Sequence, residues 1–316
     1  MLEAIGSFIL GLVLLALGGD SIVKGSAGLA QRMGASPFVA GLLLVAFGTS
    51  VPELAVNLRA LVAGQPALAL GNAVGSNIVN VGLTLGAAAL VAPVVVRWRA
   101  LSPLLLVLLL ATLGVIGLGW DGQLSRVDGA LLLLAFVVVL GFALVRAHAE
   151  QADVRAQVDA FASTRSGLGL NLLRAAVGIA LLYFGAGWVV DSAPEIGRAL
   201  GMDSLVAGLL LVAIGTALPE VAAAVAAARR GQGDLVAGHV VGSSLFNLLV
   251  VVGGMATAHG LAIPASFLRF ELPVAFLFAL LLVPVLRGGT TVSRAEGGVL
   301  LLALALWVGF EVAMLG

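Results

Sequence analysis

The stretch GASPFVAGLLLVAFGTSVPELA, residues 34–55, returns as GMDSLVAGLLLVAIGTALPEVA at 201–222, with 14 of 22 positions identical at an offset of 167. The same offset, without a gap, lays GNAVGSNIVN (71–80) over GHVVGSSLFN (238–247). Each copy sets a glycine, a proline and a glutamate into an apolar run, as GTSVPE at 48–53 and GTALPE at 215–220. A chain that interrupts an apolar segment this way, and then does so again, is an internal repeat first and a local anomaly second.

The setting of these runs is a membrane. The chain has 316 residues, 61% of them hydrophobic and 10% charged, with a mean hydropathy of +1.18, far from the balance of water-soluble domains. Apolar runs near the roughly 20 residues that a helix needs to cross hydrocarbon recur throughout, so the fold class is an all-α membrane protein rather than a barrel. Ten spans are expected, at 3–27, 36–64, 66–92, 102–119, 128–147, 169–193, 203–228, 233–260, 268–286 and 294–314. The first lacks a basic leader and a small-residue cleavage site, and reads as a retained helix. The net charge is zero and there is no cysteine, which excludes thiolate chemistry and gives no sign of a nucleic-acid partner.

The polar stretch RAHAEQADVRAQVDAFASTRSG (146–167) divides the chain into a first half, 1–147, a linker, 148–168, and a second half, 169–316. The repeated motifs occupy 34–86 and 201–253. Five spans per half is an odd number, so the second half enters the membrane from the opposite side: two inverted five-helix repeats, with a site expected at their interface near the midplane. Arginines gather in the loops after odd spans (Arg32, Arg97, Arg99, Arg146, Arg155, Arg165, Arg229, Arg230, Arg287, Arg294), against Arg126, Arg198 and Arg269 after even ones. The positive-inside rule then puts the linker in the cytoplasm and both termini outside the cytoplasmic membrane.

A charged side chain at the bilayer centre costs about 2.5–3.5 kcal/mol, and a proline inside a helix about 3 more. Two such sites imply compensation. Glycine and proline interrupt the helical hydrogen-bond ladder and free carbonyls around Ala46, Thr49, Ala213 and Thr216, beside the carboxylates of Glu53 and Glu220. Ser76 and Asn80 lie four apart on one helical face, as do Ser243 and Asn247. Carboxylate, carbonyl, hydroxyl and amide oxygens form a hard ligand set for Na⁺ or Ca²⁺. Two glutamates carry a charge that one Ca²⁺, two Na⁺ or two protons would neutralise. The glycines Gly71, Gly75, Gly238 and Gly242 read as close helix packing. Asp20 and Lys24 read as a helical pair off the site; His148, His239 and His259 as packing or solvated residues; Glu271, Glu296 and Glu311 as interfacial.

With these motifs the sequence resembles the cation/Ca²⁺ exchanger superfamily, and within it the compact prokaryotic Na⁺/Ca²⁺ exchangers. GTSVPE with GNAVGSNIVN is similar to that family's first repeat motif, and GTALPE with GHVVGSSLFN to its second. The resemblance implies Glu53 and Glu220 as principal Ca²⁺ ligands. It implies backbone oxygens from Thr49 and Thr216, Na⁺ sites at Ser50, Ser76 and Ser243, and Asn80 and Asn247 closing the centre. It further implies alternating access, with the first and sixth helices sliding across the core. No resident cofactor is expected, only transported Ca²⁺ and Na⁺ in a lipid-embedded monomer. The chain departs from the family pattern at Asn247, often aspartate, and Ala217, often serine, which bears on the number of Na⁺ ions and on whether Na⁺ or H⁺ drives exchange. A Ca²⁺/H⁺ exchanger is the nearest rival. A Ca²⁺ channel would need a continuous pore, which a twofold site does not suit, and an intramembrane enzyme lacks its motifs.

Overall fold

The computed structural model describes residues 1–32, 50–96, 98–147, 167–287 and 291–315. The first half contains α1 (Leu2–Arg32), α2 (Val51–Val62), α3 (Pro66–Val79), α4 (Gly86–Val91), β1 (Val94–Val95), α5 (Trp98–Leu118), β2 (Gln123–Leu124) and α6 (Arg126–Ala147). The second contains α7 (Leu168–Ala199), α8 (Ser204–Ala207), α9 (Ala213–Arg229), α10 (Gly233–Phe246), α11 (Gly253–His259), β3 (Leu261–Ala262), α12 (Ala265–Arg269), α13 (Glu271–Arg287), β4 (Thr291–Val292) and α14 (Arg294–Ala313). Among the described residues eight helices are long and apolar enough to cross a membrane, and the protein is a multi-pass membrane protein.

Several elements recur at the offset of the sequence repeat, among them α1 with α7, α3 with α10, α4 with α11 and β1 with β3. A π-helical turn, Asn80–Leu85, joins α3 to α4, and its counterpart 167 residues on, Asn247–Val252, joins α10 to α11. Both begin at the asparagine that ends each repeated motif. A third π-helical turn, Gly208–Val212, joins α8 to α9. Such turns leave carbonyls out of the regular ladder and concentrate at functional sites. The short strands pair across the halves, β1 with β4 (Val94↔Val292) and β2 with β3 (Gln123↔Ala262), both antiparallel. Composition could not foretell two-residue strands.

Helices α1 and α7 lie side by side along a glycine seam. A Cβ on Gly11 would stand 2.9 Å from the Gly185 carbonyl, and one on Gly18 3.1 Å from that of Gly178. One on Gly25 would stand 2.9 Å from the Asn171 carbonyl. Seven-residue spacing returns to the same helix face after two turns, so the absent side chains let the two backbones touch along their length. The outer faces of the pair are apolar and exposed, as at Ile9, Leu17, Leu173 and Tyr183. Inward, α1 crosses both motifs: a Cβ on Gly19 would meet Pro52 at 3.0 Å, and one on Gly215 would meet Leu12 at 2.8 Å.

The core helices α3 and α10 are largely buried, with Leu68, Val74, Ile78 and Val240 fully so. Gly71 and Gly75 do serve packing: added Cβ atoms would collide with the carbonyls of Leu205 and Leu209. Lys24 Nζ meets Asp20 Oδ2 at 2.7 Å on the surface, away from the core. Of the glutamates expected at the interface, Glu296 closes a capping box with Ser293 at the start of α14, while Glu271 and Glu311 are packed inside the protein, only 7% and 5% exposed. The rings of Phe270 and Phe310, 4.6 Å apart, bring the start of α13 against the end of α14.

Candidate ion-binding site

Local sequence accounts for how Glu53 is placed. Ser50 occupies the N-cap of α2 with Pro52 in the first turn, where its missing N–H costs nothing. Glu53 follows in that turn, at the positive end of the helix dipole. The pattern S-x-x-E is a capping box by sequence, yet the Ser50 side chain makes no cap hydrogen bond. Its hydroxyl instead lies 2.7 Å from Ser243 Oγ in the other half. A local preference is given up for a contact between the halves.

In the second motif the helix is not broken. Pro219 sits inside a continuous α9 that carries Glu220, so the expected interruption takes a milder form. Proline leaves the carbonyl four residues before it, that of Gly215, without its helical donor, while the irregular turn lies one step earlier at Gly208–Val212. Thr216 Oγ1 donates to the carbonyls of Val212, at 3.0 Å, and Ala213, at 3.4 Å. Its hydroxyl hydrogen is thus committed to carbonyls of its own segment. Ala46 and Thr49 lie outside the described residues.

Glu53 and Glu220 approach from the two halves and stand close enough for each to feel the charge of the other. They are 2% and 3% exposed, and the Oε2 of each has no hydrogen-bond partner. The ion pairs among the described residues are Met1–Glu195, Lys24–Asp20 and Arg59–Asp191, none of which involves the two glutamates. A buried pair of acids without a basic partner is a cation or proton site by its chemistry.

Ser50, Ser76, Asn80, Thr216, Ser243, Asn247 and Ala213 are all buried. Asn80 Nδ2 donates to Ser243 Oγ at 3.1 Å, so Ser243 meets both Ser50 and Asn80 and ties the halves together. The repeat counterpart of Ser50 is Ala217, fully buried, so the equivalent hydroxyl bridge to Ser76 does not exist. Ser76 Oγ instead donates to Asn72 Oδ1 at 3.5 Å, and Asn72 Nδ2 to Asn57 Oδ1 at 3.0 Å. Asn247 Nδ2 donates to Asn77 Oδ1 at 3.2 Å. The supporting asparagines 57, 72 and 77 were not picked out as site residues by sequence reasoning, although Asn72 and Asn77 stand within the repeated motif.

Comparison with known proteins places the chain among transporters of known family. The family model for sodium/calcium exchanger protein matches residues 3–145 and 170–313. The inner membrane protein YrbG of Escherichia coli (strain K12) is 34% identical over 322 residues, covering 98% of each chain. Sodium/calcium exchanger MaX1 of Methanosarcina acetivorans is 29% identical over 97% of each. The solved structure of the sodium-calcium exchanger NCX_Mj soaked with 2.5 mM Na⁺ and 10 mM Sr²⁺ is 30% identical, covers 98% of both chains and superposes with a TM-score of 0.68. Two facing glutamates on repeated motifs, and a match that spans both halves, lead to one conclusion: the chain belongs to the sodium/calcium exchanger family of membrane antiporters.

Proposed function

We propose that this protein is a secondary-active antiporter that exchanges Ca²⁺ for Na⁺ by alternating access, built as ten spans in two inverted five-helix repeats with both termini outside. The observation that carries the reading is the facing pair Glu53 and Glu220, buried, one from each half, with an unpartnered oxygen apiece. The elements that recur at the repeat offset and the strands that pair across the halves support the inverted architecture. Around the glutamates, Ser50, Ser76, Asn80, Ser243 and Asn247 would supply hydroxyl and amide oxygens, and Ala46, Thr49, Ala213 and Thr216 main-chain carbonyls. That set reaches the six to eight oxygens Ca²⁺ prefers. Soaks of NCX_Mj with 2.5 mM Na⁺ and 0.1 mM Ca²⁺ favour the same pair of substrates here.

A second reading, Ca²⁺/H⁺ exchange, rests on the same facing pair, whose two charges a pair of protons would neutralise as well as a cation. Uptake of ⁴⁵Ca²⁺ into proteoliposomes separates the two. Vesicles loaded with Na⁺ at equal pH on both sides are expected to accumulate Ca²⁺, and acid-loaded vesicles without Na⁺ are not. Uptake driven by the acid interior alone would transfer the coupling to protons.

A further inference from the structure

Asn247 is a neutral amide at a position where the sequence pattern of the family often has a carboxylate, and an amide can face a cation with its oxygen or repel it with its NH₂. We infer that Asn77 is the positioning residue that makes Asn247 present its oxygen to the ion. The inference rests on the reading of Asn247 as a site residue. The argument begins at the main chain. Asn77 Nδ2 donates to the carbonyl of Ser244 at 3.2 Å, and a carbonyl can only accept, so this contact fixes which end of the Asn77 amide is nitrogen. The other end, Oδ1, must then accept, and it does so from Asn247 Nδ2 at 3.2 Å. That fixes Asn247 in turn: its NH₂ is held by Asn77, and its Oδ1 is buried with no hydrogen-bond partner.

The orientation thus passes from a backbone atom through one amide to another. Asn77 belongs to the first half and Asn247 to the second, so the device also crosses the repeat interface. It is not duplicated by the pseudo-symmetry, because the counterpart of Asn77 is Ser244, whose hydroxyl has no partner. A carboxylate at 247 would have no need of it, since both of its oxygens are acceptors.

The test is a pair of backgrounds. Asn77→Ser is the first variant, since the related position already holds serine and the fold accommodates it there; Asn77→Ala is the second, with thermal unfolding of the detergent-solubilised protein as the check on folding. In the unmodified background, equilibrium ⁴⁵Ca²⁺ binding is expected to weaken about tenfold, the scale on which outer partners of metal ligands act. In Asn247→Asp the same Asn77 substitution is expected to change affinity by less than about twofold, because the carboxylate offers an oxygen in either rotamer. An equal loss in both backgrounds, or no loss in the unmodified one while Asn247→Ala still weakens binding, overturns the role of Asn77 and leaves Asn247 as a ligand. If Asn247→Ala binds Ca²⁺ normally while Glu53→Gln does not, Asn247 is not a ligand and the inference falls with that reading.

Discussion

Glu53 and Glu220 are stable neighbours only when something positive stands between or on them. Two like charges about 4 Å apart repel by about 4 kcal/mol at an effective dielectric of about 20, and both side chains are withdrawn from water. The same repulsion is what a cation relieves. Removing one member of a buried charged set costs about 3–5 kcal/mol, so Glu53→Gln and Glu220→Gln are each expected to lower Ca²⁺ affinity by at least about 100-fold, read by ⁴⁵Ca²⁺ binding and uptake. Near-normal transport in either would remove the pair from the site. The sign of the pH effect follows. Protons and Ca²⁺ compete for the same oxygens, so apparent Ca²⁺ affinity is expected to fall as pH falls, and an affinity that rises in acid contradicts a carboxylate cage.

At the scale of elements, the glutamates, the motif serines and the repeat itself were legible because each rests on residue type and spacing, which inversion does not disturb. The π-helical turns were not, since Asn80–Leu85 and Asn247–Val252 are ordinary apolar sequence and the extra residue per turn is imposed by packing. The burial of Glu271 and Glu311 was hidden for a related reason: it depends on the tertiary approach of α13 and α14, elements whose ends meet at Phe270 and Phe310, forty residues apart. The glycine seam of α1 and α7 was also overlooked, though Gly11 and Gly18 stand 167 positions before Gly178 and Gly185. That seam gives α1 and α7 a smooth contact, suited to sliding over the motifs they cover. Gly18→Val places a branched side chain where a single Cβ already stands 3.0 Å from Leu182. The expected outcome is Na⁺-driven uptake reduced at least about tenfold with Ca²⁺ binding within threefold of the unmodified protein. Full exchange by this variant would show that the two helices do not need close contact to work.

For the whole molecule, charge at the site sets what one cycle moves across the membrane. The acidic side chains at the site are Glu53 and Glu220, and position 247, where a third could stand, carries an amide. Two negative charges are neutralised equally by one Ca²⁺ or by two Na⁺. A third Na⁺ would add an uncompensated charge to a site buried from water, and Ala217 withholds a hydroxyl that could help to hold it. The charge count therefore predicts electroneutral exchange, two Na⁺ for each Ca²⁺. A membrane potential acts only on net charge moved, at about 2.3 kcal/mol per elementary charge per 100 mV. In Na⁺-loaded proteoliposomes clamped with K⁺ and valinomycin, the initial rate of Ca²⁺ uptake is expected to be the same at zero and at 100 mV of either sign. Asn247→Asp adds the missing charge, and with Ala217→Ser the missing hydroxyl, so the double variant is expected to admit a third Na⁺ and become voltage-sensitive. A rate in the unmodified protein that already changes with potential would mean that an amide and an alanine at these positions do not limit the ion count, and that the third Na⁺ is held by oxygens other than these.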